Sequence, residues 1–432
     1  MSSMFDTLKN AFQIRDLRKK IFFTLICVLV YRIGAAVPVP GISAKAFSEL
    51  LARFGQLGQF LQIISGTGGY RAVSIFSLGI SPYINASIIM QLLTYAIPAL
   101  EDLAKEGESG RRKLSKYTRY LAVGLAVVMS FGYWWSTRGA LVETIPTFLS
   151  GLVVITSFTA GAAFIIWLAD QIDQKGIGNG MSLIIFIGII SRLPAITVNL
   201  YYTFLQWNEN KNLFVAILGV LAAVIVSLAM TALVVHVSTS ERRIPINYAK
   251  RVVGNRMYGG NSSYLPIKLN QGGVLPVIFA VSVMMVPSFI VSLFSAKGPV
   301  AQWFMNFDRN PLYYIIYSIL IFLFSFFYSS LSFNPVEIAT NIQQNGGYIP
   351  GYRPGRPTVN YIHDVSHSLC WFESIFLIFI VMIPTLLGFL TKSSGSLWFG
   401  GTALLIVVGV AMDMVNQLEA QMMMRHYKGF LD

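Results

Sequence analysis

Apolar residues run along the chain in stretches of about twenty, set apart by shorter polar and glycine-rich pieces. Ten such stretches can be laid end to end, at roughly 21–37, 73–97, 117–136, 149–170, 180–201, 213–236, 273–294, 312–332, 370–390 and 398–417. Each is long enough, as an α-helix, to cross a hydrocarbon layer about 30 Å thick. The pattern predicts an all-α polytopic membrane protein with ten transmembrane helices. Divided into two groups of five, they form inverted halves if the halves are related, because an odd number of crossings reverses direction.

The second stretch departs from a lipid-facing pattern. It spends Gly79, Ser81, Pro82, Asn85, Ser87 and Gln91 on small or polar residues, which need partners or water in hydrocarbon. It is therefore expected to line something. Just before it, residues 56–65 are apolar, too short to span, and bounded by Gly55, Gly58, Gly66, Gly68 and Gly69. Such a piece predicts a re-entrant helix, a plug beside a pore.

Composition agrees with the pattern: 55% of residues are hydrophobic and 12% charged, against about 25% charged in soluble domains. The N-terminal MSSMFDTLKNAFQIRDLRKK reads as a polar amphipathic lead, not as a cleavable signal peptide. Of the 32 lysines and arginines, 22 fall on the side of the N-terminus, which predicts both termini in the cytoplasm. The net charge of +13 is thus mostly a topology signal, with basic loop surface left over for acidic partners.

The organisation that follows is a cytoplasmic amphipathic N-terminus (1–20), an N-terminal half (21–201), a C-terminal half (202–417) and a cytoplasmic tail (418–432). Two cytoplasmic loops are long. In 237–272, two extended runs around a turn-rich segment predict a protruding hairpin with Arg251 and Arg256 near its tip. The loop 333–369 is rich in proline and glycine, with Arg353 between two turn signals. Loops of this length usually bind something.

Reaction chemistry is missing. No Walker A, Rossmann, G-x-S-x-G or paired-carboxylate pattern occurs, and GIGNG (176–180) opens a span with no strand before it. Cys27 and Cys370 lie in apolar segments, which leaves no disulfide framework or CxxC site. His363 and His367 have helical spacing without a partnering glutamate and are expected in a loop, so no metal site is assigned. Neither an enzyme nor a cofactor is expected. Ionisable residues inside the spans are scarce: Asp170 and Asp413 near cytoplasmic ends, Arg32 near the outer end of the first. Ion-coupled carriers keep polar groups near mid-depth, so this scarcity favours a passive channel driven by a partner. A small-solute carrier of inverted-repeat type is the rival reading.

Seven motifs in chain order carry a resemblance: LGISPYINASIIMQLL (78–93), KEGESGRRKLSKYTRY (105–120), GIGNGMSLIIF (176–186), RRIPINYAKR (242–251), LPIKLNQGGVLPVIFA (265–280), FNPVEIATNIQQNGGYIPGYRPG (333–355) and FGGTALLIVVGVAMDM (399–414). Together the chain resembles the SecY family, channel subunits of protein-export complexes, over nearly its whole length. The resemblance implies an hourglass channel with a ring of isoleucines at its waist: Ile80, Ile84, Ile185, Ile189, Ile278 and Ile406. Branched apolar side chains can seal an empty pore by dewetting and offer a passing chain no polar site to stick to. It also implies a plug over 56–68, including Phe60, Leu61, Ile63 and Ile64. A lateral gate is implied between spans 2 and 3 and spans 7 and 8, with Asn85, Gln91 and Asn270 as polar contacts. Arg242, Arg243, Arg251, Arg256 and Arg353 are implied to dock the SecA ATPase or the ribosome, since arginine pairs bidentately with carboxylate and phosphate. SecE and SecG are the implied companion subunits, with unfolded preprotein, its signal sequence and membrane lipid as the other partners. The implied location is the bacterial cytoplasmic membrane.

Overall fold

The computed structural model describes residues 14–40, 74–136, 147–191, 193–194, 213–248, 251–253, 256–258, 262–293, 303, 307, 310–390 and 401–428. Phe60, Leu61, Ile63 and Ile64, the expected plug residues, lie outside the described residues. In chain order the elements are α1 (Arg15–Ala35), α2 (Ser81–Ala96), α3 (Pro98–Lys105), α4 (Glu108–Ser136), α5 (Thr147–Lys175), α6 (Gly180–Ile190) and α7 (Leu213–Thr239). Then come β1 (Glu241–Tyr248), β2 (Arg251–Val253), β3 (Arg256–Tyr258), β4 (Ser262–Lys268), α8 (Leu275–Leu293), α9 (Pro311–Ser332), α10 (Pro335–Gln344), β5 (Gly347–Tyr348), α11 (Arg356–Leu390) and α12 (Gly401–Lys428).

A helix overlaps each of the ten apolar windows. Among the described residues, Phe148–Lys175, Leu221–Thr239, Pro311–Gln344, Arg356–Pro384 and Gly401–Met422 are long and apolar enough to cross a membrane. A sixth span results if α2 and α3, bent by 100° at their junction, count as one. The chain is a mostly helical, multi-pass membrane protein. Several helices start where the sequence encodes a start. Proline occupies one of the first two positions of α2, α3, α9 and α10, where a missing N–H costs no helical bond. Asn310 and Asn334 cap α9 and α10 by accepting from Leu312 and Val336 N–H.

Two apolar cores divide the helices. The first gathers side chains from α1, α2, α4, α5 and α6 together with Ile278 of α8, the second from α7, α8, α9 and α11. The helix α12 is a wall between them: Ala403, Ile406 and Val410 point to the first core, Leu404, Leu405 and Val408 to the second. Lipid is as apolar as leucine, so close packing rather than transfer from water holds such helices together. Small residues make it possible. A Cβ on Gly161 would strike the carbonyl of Ile75, and one on Gly180 or Gly401 the carbonyls of Ala169 and Ile380.

A small third unit stands outside the helical cores. β1 pairs antiparallel with β4 (Arg243 opposite Pro266) and with β5 (Tyr248 opposite Gly347). Ile244 and Ile246 alternate inward from β1 and pack with Ile267, Ile342, Ile349 and Ile362. β2 and β3 form a further hairpin in which Val253 faces Arg256.

Three expectations need correction. The segment 333–369 is not an irregular loop, because Pro335 opens α10 and α11 begins at Arg356. The ninth window, 370–390, is only the latter part of that helix. His363 and His367 accordingly sit on α11 rather than in a loop, with their rings stacked 5.9 Å apart. Among the described residues no group of three or more His, Cys, Asp or Glu could hold a metal.

Candidate functional site

Six isoleucines from four separate helical segments meet at the junction of the two cores. Ile80, Ile185, Ile189, Ile278 and Ile406 are buried in one cluster, and Ile84 packs against both that cluster and the second core. Local structure accounts for each placement. Ile80 ends the turn leading into α2; that turn is anchored by Phe76, whose ring stacks between Tyr31 (5.8 Å) and Phe164 (5.9 Å). Ser74 Oγ accepts from the Phe76 N–H at 3.0 Å and holds the same turn.

Ile185 and Ile189 depend on the glycine turn before α6. Gly178 adopts φ +87°, open to glycine at little cost, and Asn179 caps α6 by accepting from Ser182 N–H at 3.1 Å. Asp173 Oδ1 accepts from Gly180 N–H at 2.7 Å, and Thr24 Oγ1 accepts from Ile177 N–H at 3.1 Å. The turn is therefore tied to both α5 and α1.

Two of the contributing segments resemble each other. GMSLIIFIGI (180–189) opens α6 and GTALLIVVGV (401–410) opens α12, with glycine, leucine, isoleucine and glycine shared at matching positions. Ile185 matches Ile406, and Ile189 matches Val410, which is buried in the same cluster. In each copy the first glycine seats the helix on the backbone of the preceding described helix, α5 or α11. Val410 is thus a further cluster residue, detectable only by aligning the two segments.

The expected gate residues are not brought together. Asn85 is half-buried and Gln91 exposed on α2, while Asn270 lies before α8 with its buried Oδ1 unpartnered. No hydrogen bond joins the three among the described residues. Across this boundary α4 packs on α8, and Tyr95 of α2 meets Phe327 of α9 edge-on at 6.4 Å.

Next to Asn270 is a polar network that the sequence reading passed over. Glu373 of α11, 0% exposed, accepts from the backbone N–H of Gln271 (3.0 Å) and Gly272 (2.8 Å). The side-chain carbonyl of Gln271 accepts from Ser329 of α9 at 2.8 Å and Ser366 of α11 at 3.1 Å. Glu373 adds an acid to the short set of intramembrane ionisable residues, visible in WFESIF as a lone charge in an apolar run. Each of its oxygens accepts a main-chain N–H.

The basic residues lie apart from the cluster, on the β unit and beside it. Arg242 and Arg243 are exposed on β1, Arg243 pairing with Glu241 at 2.7 Å. Arg256 begins β3 opposite Val253, beside the turn, and Arg251 begins β2 opposite Tyr258, at the far end of the hairpin. Arg353 is exposed in the turn before α11, fixed through its own carbonyl by Thr358 Oγ1 at 2.9 Å.

The SecY family model matches residues 74–415. The chain is similar to the protein translocase subunit SecY of Streptomyces scabiei, 40% identical over 99% of this chain and 100% of that one. It is likewise 40% identical to the protein translocase subunit SecY of Halalkalibacterium halodurans, over 99% and 100%. Among solved structures, a protein-conducting channel superposes with a TM-score of 0.65 at 21% identity, covering 93% of this chain and 92% of that one. A channel from a canine ribosome–channel complex of the endoplasmic reticulum superposes at 0.62 with 19% identity and the same coverage. A small-solute carrier is not favoured. The chain belongs to the SecY family, whose members are protein-translocating channels and not enzymes.

Proposed function

We propose that this chain is the pore subunit of a bacterial protein translocase, with Ile80, Ile84, Ile185, Ile189, Ile278 and Ile406 forming its constriction. The observation that carries this reading is that six side chains far apart in sequence, from both halves, converge on one apolar junction. Nothing polar in those six side chains would hold a passing polypeptide, and their branched shapes exclude water from a narrow gap. Ten crossings, with both termini in the cytoplasm of a bacterial cell, fit the lysine and arginine distribution. Residues 56–68, including Phe60, Leu61, Ile63 and Ile64, would stopper the outer side.

The boundary between α2 with α4 and α8 with α9 would open sideways to release apolar segments into lipid. Its contacts are van der Waals contacts, which separate without stranding buried polar groups. Asn85, Gln91 and Asn270 line this route. The β unit with Arg242, Arg243, Arg251 and Arg256, and the turn carrying Arg353, would receive the SecA motor or the ribosome. SecE and SecG would be the companion subunits.

The test is a crosslink from a cysteine at position 278 to a cysteine in a preprotein arrested partway through export. A crosslink that requires SecA and ATP is expected, and Arg353→Glu should abolish it while the protein still inserts in the membrane. If no crosslink formed from positions 278, 80 or 406 in properly inserted protein, the constriction would be elsewhere.

A further inference from the structure

The hydrogen bonds that hold the start of α8 come from α9 and α11 among the described residues. Glu373 of α11 bonds the N–H groups of Gln271 and Gly272, and Gln271 reaches Ser329 of α9 and Ser366 of α11. An anion is well placed there, because the N–H groups ahead of a helix have no internal acceptors and the helix dipole favours negative charge. Pulling these groups apart would leave a buried carboxylate without donors, far costlier than parting apolar surfaces. Toward the first core the same helix packs against α4 and through Ile278, with no hydrogen bond to that core among the described residues.

We propose that Glu373 is a positioning residue of the channel: a latch that binds α8 to α9 and α11 as one body, so that Ile278 stays seated in the closed constriction. Opening then occurs on the α4 side, and α8 moves with the second half. The proposal rests on the gate and constriction described above. Gly272 completes the latch, since a Cβ there would lie 2.8 Å from Glu373 Oε1 and 2.9 Å from Pro276 Cγ, too close for either to stay in place.

The experiment measures, in cells carrying the full translocase, export of a preprotein with an intact signal sequence and of the same preprotein with a defective one. Glu373→Ala should raise export of the defective form about tenfold, the response to losing a charge-assisted bond, with the intact form little changed. Glu373→Gln, which keeps one acceptor toward the two N–H groups, should give a smaller rise. Gly272→Ala should reproduce the effect from the other side and add little to Glu373→Ala. No selective rise in either variant, or a parallel fall of both substrates, would overturn the latch. Ile278→Ser in the same assay separates the two ideas. A rise there without one at Glu373 or Gly272 removes the latch alone, and no rise at Ile278 removes the gate reading on which it stands.

Discussion

Residues 271 to 278 connect two environments of opposite chemistry. At Gln271 and Gly272 the chain is pinned by hydrogen bonds to a buried carboxylate and reaches two serines. At Ile278, two turns of chain further on, the side chain rests in a cluster of isoleucines with no directional bond. Hydrogen bonds in an apolar setting strengthen and demand geometry, whereas dispersion contacts slide and re-form. A channel needs both properties close together. In the proposed constriction the contacts are without direction, and beside it, at Gln271 and Gly272, they have direction.

The largest change should come from removing the undirected side of this contrast. Replacing all six isoleucines by serine should leave the resting pore wet, giving a steady ion current across planar bilayers where the parent protein gives almost none. An unchanged current would mean that the seal does not depend on the cluster. A smaller effect is expected from the glycine seats. Gly401→Ala or Gly180→Ala forces a methyl group into a neighbouring carbonyl and should cost about 1–3 kcal/mol, read as earlier thermal unfolding of the purified protein. The smallest belongs to the latch periphery. Ser366→Ala leaves the Gln271 carbonyl its bond from Ser329, so the loss should stay near 1 kcal/mol. Ser329→Ala combined with Ser366→Ala should exceed the sum of the single losses, because the Gln271 carbonyl is then left without either serine.

How far the sequence carried depended on the kind of signal. Hydropathy alone located ten apolar stretches, each of which a helix overlaps, because an apolar run of some twenty residues has few alternatives. The hairpin at 241–268 was legible from extended runs around a glycine turn. The course of α11 was not. Proline and glycine up to Pro357 look like loop, and the first turns carry Asn360, His363 and Asp364 on an exposed face that an apolar window averages away. Their buried counterparts, Thr358, Ile362 and Ser366, repeat every four residues, a helical spacing that the window does not register. Pro335 reads as a breaker until Asn334 is seen capping the helix that it opens. Glu373 escaped for the same reason as the histidines, since one acid hardly shifts the mean of twenty residues. The expected gate polar residues came from family resemblance and share no contact here. The apolar junction came from the same resemblance, and all six of its residues share one.

The matching segments that open α6 and α12 carry a further consequence, for how this chain can change over evolutionary time. Two segments that share glycine, leucine, isoleucine and glycine at matching positions contribute to a single cluster, and their helices touch. Substitutions in neighbouring residues do not act independently. A bulkier residue at Ile185 must be accommodated by Ile406 or Val410, and drift in either copy is checked by the other. Such mutual constraint keeps the two segments alike in these ten residues.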